Sequence, residues 1–247
     1  MALYAASVEA VDEAVGRVVA RLKAMGQFRN TLILVQSDNG GTNEGGVVGT
    51  AFGLPDPLTG QRLLDMGQPN VADNIQVGGG WGSLQNTPFR LFKRYTHGGG
   101  VRSPLVVSWP AKFKNRGGWT NQVAHVIDIA PTILEAAEVE LPETFEGHTI
   151  LPFEGRSLMP SLNRPTATHT RTLAFEHEGN RAWIHGNYKL VVRQRSGDLI
   201  ELFDLDSDPS ELVDLSAAQP ARVTRLVNAW NEWATRVGLP ADRQIFH

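Results

Sequence analysis

The stretch TLILVQSDNGG, residues 31–41, decides the fold. From Thr31 to Val35 every residue is aliphatic or β-branched, without the polar alternation of a half-exposed strand. That composition predicts a strand buried on both faces, and the polar turn SDNGG follows it at once. Upstream, Val8, Val11, Val15, Val18, Leu22 and Met25 recur at three- and four-residue steps, which places them on one stripe of an amphipathic helix that Gly26 closes. A helix, a tight turn and a doubly buried strand point to an α/β sheet.

Working outward, residues 40–88 are rich in Gly, Pro, Asn and Asp and predict a long irregular excursion. PLVVSWP (104–110) reads as the next buried strand, ended by Pro110. VIDIAPTILEAA (126–137) reads as a helix with Asp128 as its N-cap and Pro131 in the first turn. The proline-rich stretch from Leu141 to Thr172 is loop-like and predicts a junction, dividing an α/β domain over 1–160 from a small α+β subdomain over 161–247. Beyond it TLAFEH, AWIHG, YKLVVRQ and LIELFDL are short strand-like runs split by turns, as in an antiparallel meander. DLDSDPSELVDL (204–215) lacks the central Gly and closing Glu of a calcium loop and reads as a turn with a helix start. From Pro220 to Val237 a helix is expected, with Val223, Leu226, Val227, Trp230 and Trp233 on its apolar face.

Composition narrows the function classes. The 247 residues carry 41% hydrophobic and 20% charged side chains and a formal net charge of -3, enough for a sizeable core. Lysines and arginines are scattered, so the basic patch that nucleic-acid binding requires is missing. Without Cys there is no disulfide, thiolate metal site or Cys nucleophile in this sequence. The first residues hold Glu9, Asp12 and Glu13 where a signal peptide is apolar, and no apolar run reaches the ~20 residues of a membrane span.

Two places offer chemistry. Asp38 and Asn39 follow a buried strand directly, where open α/β sheets put their sites, and their oxygens suit a hard cation such as Ca²⁺ or Mg²⁺. The same residues also fit an Asx-rich turn with Gly40 at positive φ. In NTPFRLFKRYTHGGGVRSP (86–104), Lys93 and His97 lie four apart, and Gly98–Gly100 permits close backbone approach to an oxyanion such as sulfate or phosphate. A solvated basic loop with a glycine hinge fits that segment equally. His125, His169, His177 and His185 show no metal-ligand spacing, and Trp183, Trp230 and Trp233 read as core.

Taken in order, YAASVEAVDEAVGRVVARLKAMG, NTLILVQSDNGG, NTPFRLFKRYTHGGGVRSPLVVSWP, HVIDIAPTILEAA, FEGRSLMPSL, EHEGNRAWIHGNYKLV and ELFDLDSDPSELVDL resemble arylsulfatase-type sulfatases of the alkaline-phosphatase-like superfamily, from about residue 3 to 240. The resemblance implies an alkaline-phosphatase-like sheet sandwiched by helices, followed by the small antiparallel sheet and helix. It implies a sulfuric ester hydrolase acting on a sulfate-ester small molecule or sulfated glycan, with no nucleic-acid or membrane partner. Asp38 and Asn39 resemble two of the family's ligands for Ca²⁺ or Mg²⁺, and Lys93 the lysine that contacts substrate sulfate. His97 sits one place before the family's usual Glu-Gly-Gly, here Gly98–Gly100, and is carried over as catalytic with a looser loop expected. Family enzymes make formylglycine from Cys or Ser in C/S-x-P/A-x-R and carry an early Asp-Asp pair; neither pattern occurs here. The chain is therefore expected to be the later part of such an enzyme, inactive alone, with the family's periplasmic, secreted or lysosomal address unreadable. A phosphodiester or phosphonate hydrolase of the same superfamily, or a non-catalytic remnant serving as an interaction module, stands as the alternative.

Overall fold

A computed structural model describes residues 2–51, 54–55, 76–114, 117–164, 170–194 and 198–245. The expected first helix is α1 (Ala2–Ala24), and Gly26 ends it at φ 69°. Its apolar stripe is not a core face, because Val8, Val11 and Val18 are 52%, 60% and 58% exposed. The two runs expected to be buried on both faces form β1 (Ile33–Gln36) and β4 (Leu105–Ser108), paired in a two-stranded sheet, but both strands are only partly buried and Val106 is 62% exposed. Between them the expected excursion is more ordered than its composition suggests. It holds a small hairpin of β2 (Thr50–Ala51) and β3 (Leu54–Pro55), and α2 (Gly79–Gln85). Residues 52–53 and 56–75 of that excursion lie outside the described residues. Glycine disfavours helix, which hides α2 (GGWGSLQ) from sequence reading, but a Cβ on Gly82 would sit 2.5 Å from the Thr42 carbonyl oxygen. Packing, not propensity, selects Gly82, whereas a Cβ on Gly80 would meet nothing within 4 Å.

The chain separates into two compact units, Met1–Val15 with Gln36–Leu105 and Thr172–His247, and Gly16–Val35 with Val106–Arg171. In the second unit a 3-10 turn over Val126–Asp128 leads into α4 (Ile129–Ala137). Asp128 occupies the N-cap position of α4 as expected, but it is fully buried and its side chain makes no capping bond to that helix. Its carboxylate instead accepts from the His125 amide (2.8 Å), the Arg156 amide (2.8 Å) and Nη2 of Arg171 (2.8 and 3.0 Å). A buried carboxylate needs several donors, and three separate segments supply them. The loop-like junction contains a hairpin of β5 (Thr144–Phe145) and β6 (His148–Thr149) and the short α5 (Met159–Asn163).

In the first unit the meander forms as expected. β7 (Thr172–His177), β8 (Asn180–His185), β9 (Tyr188–Arg193) and β10 (Leu199–Asp204) are antiparallel neighbours in that order. Glu178 and Gly179, at φ 50° and 80°, make the two-residue turn from β7 to β8, which needs positive φ at both positions. No helix starts in 204–215. The Asp208 carboxylate takes the amides of Leu212 and Val213 and Asp214 takes those of Leu202 and Ser216, so turn structure persists until α6 (Pro220–Arg236). Local Asp-to-backbone bonds outcompete helix here.

Alternation along β9 and β10 sorts two faces. Leu190, Val192 and Leu202 pack with Val223, Leu226, Val227, Trp230 and Ala234 of α6 in the main core. The opposite face carries Val191 and Phe203 but also Lys189, Arg193 and Glu201. These charges are buried, Lys189 at 2% and Glu201 at 7% exposure. Lys189 Nζ meets Glu211 at 2.5 Å, and Glu201 meets Arg90 (3.3 Å), His97 (3.0 Å) and Arg193 (3.1 Å). Burial lowers the Lys189 ammonium's pKa below its ordinary value, while the charge and hydrogen bond of Glu211 oppose that. For Glu201 burial pushes upward, but His97 and the guanidinium groups of Arg193 and Arg90 together outweigh it and hold the carboxyl at about 2.

Two outcomes are expected. Trp230 is wholly buried with its indole N–H on the Phe175 carbonyl, so Trp230→Ala should cost about 3–5 kcal/mol in denaturant unfolding; a loss near zero would contradict this core. Glu201 has a folded pKa depressed from 4.5 to about 2, so its contribution is complete above the unfolded value and is lost as pH falls through the folded one. Unfolding midpoints measured across that acid window should drop less steeply in Glu201→Gln than in the parent, and equal slopes would sink the assignment.

Candidate functional site

The turn after β1 and the segment 86–101 are locked together by backbone. The Gly40 amide donates to the Gly100 carbonyl (3.1 Å) and the Lys93 amide to the Gly41 carbonyl (2.9 Å). Asn86 completes the clasp: its Oδ1 accepts from the Gly41 amide (2.7 Å), and its Nδ2 donates to the Leu91 carbonyl (2.9 Å). Gly40 is not at positive φ; it is glycine because a Cβ there would lie 1.7 Å from the Gly99 carbonyl oxygen. Asn39 donates its amide Nδ2 to the Gly40 carbonyl (2.8 Å), which leaves Oδ1 available as an oxygen donor. Asp38 is exposed, and no hydrogen bond or ion pair from the described residues engages its carboxylate.

Two hard oxygen donors side by side fit part of the shell of Ca²⁺ or Mg²⁺, which take six or more. Among the described residues no group of three or more His, Cys, Asp and Glu side chains is placed to hold a metal. The pair therefore fits such an ion as a partial set.

Lys93 projects from the loop with its Nζ 2.9 Å from Glu44, both side chains about one-third exposed. The Lys93 ammonium, by hydrogen bond and then by charge, holds the Glu44 carboxyl below its ordinary range. Glu44 is a residue that sequence reading did not single out, since an acidic group in a glycine-rich turn carries no spacing signal. Leu91 and Arg94, on either side of Lys93, are non-glycine residues at φ 62° and 84°, a left-handed geometry that is costly for side chains of their size.

His97 is fully buried, with Nε2 3.0 Å from Glu201 and its ring 6.2 Å from that of Phe203. It opens α3 (Gly98–Val101), whose three glycines are also buried. They do not form a loosened hinge or an open oxyanion cradle. A Cβ on Gly99 would lie 2.0 Å from the Leu91 carbonyl oxygen and one on Gly100 1.9 Å from that of Tyr95, while the Gly98 amide donates to Glu211 (2.9 Å). The glycines are needed for backbone-on-backbone packing. Asp38, Asn39 and Lys93 are thus brought to one clasped pair of loops, whereas His97 faces the antiparallel sheet. His125 belongs to the other unit, His177 and His185 end β7 and β8, and His169 lies outside the described residues.

Comparison with known proteins agrees with this architecture. The sulfatase family model matches residues 1–139, and that of the C-terminal part of N-sulphoglucosamine sulphohydrolase matches residues 89–229. An uncharacterized sulfatase of Schizosaccharomyces pombe is 32% identical over 97% of this chain and 44% of its own length. An N-acetylglucosamine-6-O-sulfatase of Bacteroides thetaiotaomicron is 26% identical over 85% of this chain and 30% of its own. Among solved structures, an i-CgsB protein is 25% identical with TM-score 0.61, over 92% of this chain and 41% of that one. A protein solved with its substrate D-glucosamine-2-N,6-O-disulfate has TM-score 0.59 at 21% identity, over 92% of this chain and 39% of that one. The chain spans less than half the length of these relatives. Its fold is α/β of the alkaline-phosphatase-like kind with a small C-terminal antiparallel sheet and helix, and the chain belongs to the sulfatase family.

Proposed function

We propose that this chain carries the metal- and sulfate-contacting side of a sulfuric ester hydrolase site. The observation that carries the reading is the hydrogen bond from the Lys93 amide to the Gly41 carbonyl, which keeps the lysine beside the Asp38–Asn39 turn. Asp38 Oδ and Asn39 Oδ1 hold a Ca²⁺ or Mg²⁺ ion together with ligands from outside these residues. Such an ion, when bound, supplies positive charge against sulfate oxygens. Lys93 is a compact cation with three donors and binds the sulfate group of the ester. To do so it exchanges the Glu44 carboxylate for the substrate. That exchange is cheap, because a pair this exposed is worth about 1 kcal/mol or less.

His97 contributes to the same site through its bond to Glu201, holding the loop that bears Lys93. The attacking group is supplied from outside these residues, a formylglycine by family resemblance, since the sequence holds no Cys and no Ser within C/S-x-P/A-x-R. The substrate class is a sulfate ester, a sulfated sugar or glycan being favoured by relatives described as an N-acetylglucosamine-6-O-sulfatase and as complexes with k-i-k-neocarrahexaose and D-glucosamine-2-N,6-O-disulfate.

Sulfate binding by calorimetry, with Ca²⁺ or Mg²⁺ present, tests the contacts. Lys93→Ala and Asp38→Ala should each weaken it by about tenfold or more, the scale of losing a charge-assisted contact. Glu44→Gln should tighten it by up to about fivefold, the scale of an exposed ion pair. Unchanged affinity in Lys93→Ala would remove the sulfate role. Purified chain is expected to leave a chromogenic aryl sulfate unhydrolysed; turnover that vanishes in Asp38→Ala would show instead that a complete site lies within these residues.

A further inference from the structure

We propose that the antiparallel sheet is a positioning element for Lys93, and that Asn180, at the start of β8, is its principal positioning residue. The inference rests on the sulfate-contact reading of Lys93 for its functional meaning, and on geometry for its mechanism. The loop is strained at Leu91 and Arg94, φ 62° and 84°. Such geometry persists only where the surroundings over-determine it. Before Lys93 the surroundings are its own loop, through Asn86 on the Leu91 carbonyl (2.9 Å). After Lys93 they belong to the sheet and the turn that follows it.

Besides the His97–Glu201 bond and an exposed Arg94–Glu178 ion pair at 3.7 Å, three bonds at alternate residues make that attachment. Asn180 Nδ2 donates to the Arg94 carbonyl (3.1 Å), Thr96 Oγ1 donates to the Arg181 carbonyl (3.0 Å), and the Gly98 amide donates to Glu211 (2.9 Å). Thr96 is 2% exposed and Glu211 1%, so two of the three are shielded from water and costly to leave unmade. Asn180 holds the carbonyl of the strained residue directly after Lys93. The sheet does not engage the lysine's own amide or ammonium, which go to Gly41 and Glu44. Its influence therefore runs through the backbone: it fixes where the Lys93 stem leaves the loop and so where the ammonium meets an anion. This assigns the sheet a task in the reaction beyond closing the core.

The rate at which an amine-acetylating reagent modifies Lys93, read by peptide mass spectrometry against Lys112 of the same molecule, tests this with and without inorganic sulfate. Asn180→Ala should raise Lys93 labelling about fivefold, the scale of one ordinary hydrogen bond, leave Lys112 unchanged and weaken protection by sulfate to a similar degree. Thr96→Val, which keeps the shape and loses the donor, should act in the same direction, and Thr96→Ser should restore the parent rate. If Asn180→Ala unfolds, both lysines label faster and the Thr96 pair decides. Folded Asn180→Ala and Thr96→Val proteins with parental Lys93 labelling would overturn the proposal. Should sulfate fail to protect Lys93 even in the parent, the sulfate-contact reading falls, while the labelling ratio still decides the positioning.

Discussion

Burying the carboxylates of Glu201 and Glu211 is the constraint on which the first unit depends. Each charge taken out of water costs several kcal/mol unless it is met by opposite charge and donors in good geometry. The sheet meets part of this itself with Lys189 and Arg193. The remainder comes from a segment about a hundred residues earlier: Arg90 and His97 on Glu201, and the Gly98 amide on Glu211. Sheet and loop thus satisfy each other. Removing either partner leaves an uncompensated buried charge on the other, so the loop's conformation is enforced by electrostatics that its own sequence does not contain.

A second constraint is steric and passes the order onward. Gly40, Gly99 and Gly100 are in such close backbone contact that any side chain there would overlap a carbonyl oxygen. With the amide bonds from Gly40 to Gly100 and from Lys93 to Gly41, this couples the turn bearing Asp38 and Asn39 to the loop bearing Lys93. The result is a chain of short contacts from buried carboxylates, through a strained loop, to two oxygen donors and a cation. Hydrogen bonds of ordinary strength suffice at each link, because each one removes conformations from a segment already restricted at both ends.

Membership of the sulfatase family and the details of a site are separate matters. The family matches and the solved relatives establish the architecture, while the same fold can host different esters and different loops. The details here are local: the carboxylate of Glu211 arrives from elsewhere in the chain on the Gly98 amide. Glu44 facing Lys93 is likewise a local feature, an anionic partner for the lysine.

Much of the architecture was legible in the amino-acid order. The strand-like runs TLAFEH, YKLVVRQ and LIELFDL gave three strands nearly to the residue, and the three- and four-residue spacing of Val223 to Trp230 gave the packed face of α6. These signals are local and periodic, so a single sequence displays them. Asp38, Asn39 and Lys93 stood out by residue type and by resemblance, and the structure gathers them on adjoining loops. Helix α2 was hidden because glycine's poor propensity is overridden by close packing at Gly82; Asp128 took its N-cap position without the side-chain bond, and the helix start in 204–215 failed, because carboxylates found other amide partners. Most hidden of all was the charged face of the meander. By alternation Lys189, Arg193 and Glu201 are simply the polar side of a strand, and only the tertiary structure decides that this side is buried. The reason is that burial of a charge depends on partners more than a hundred residues away, such as Arg90 for Glu201, a distance over which periodicity carries no information.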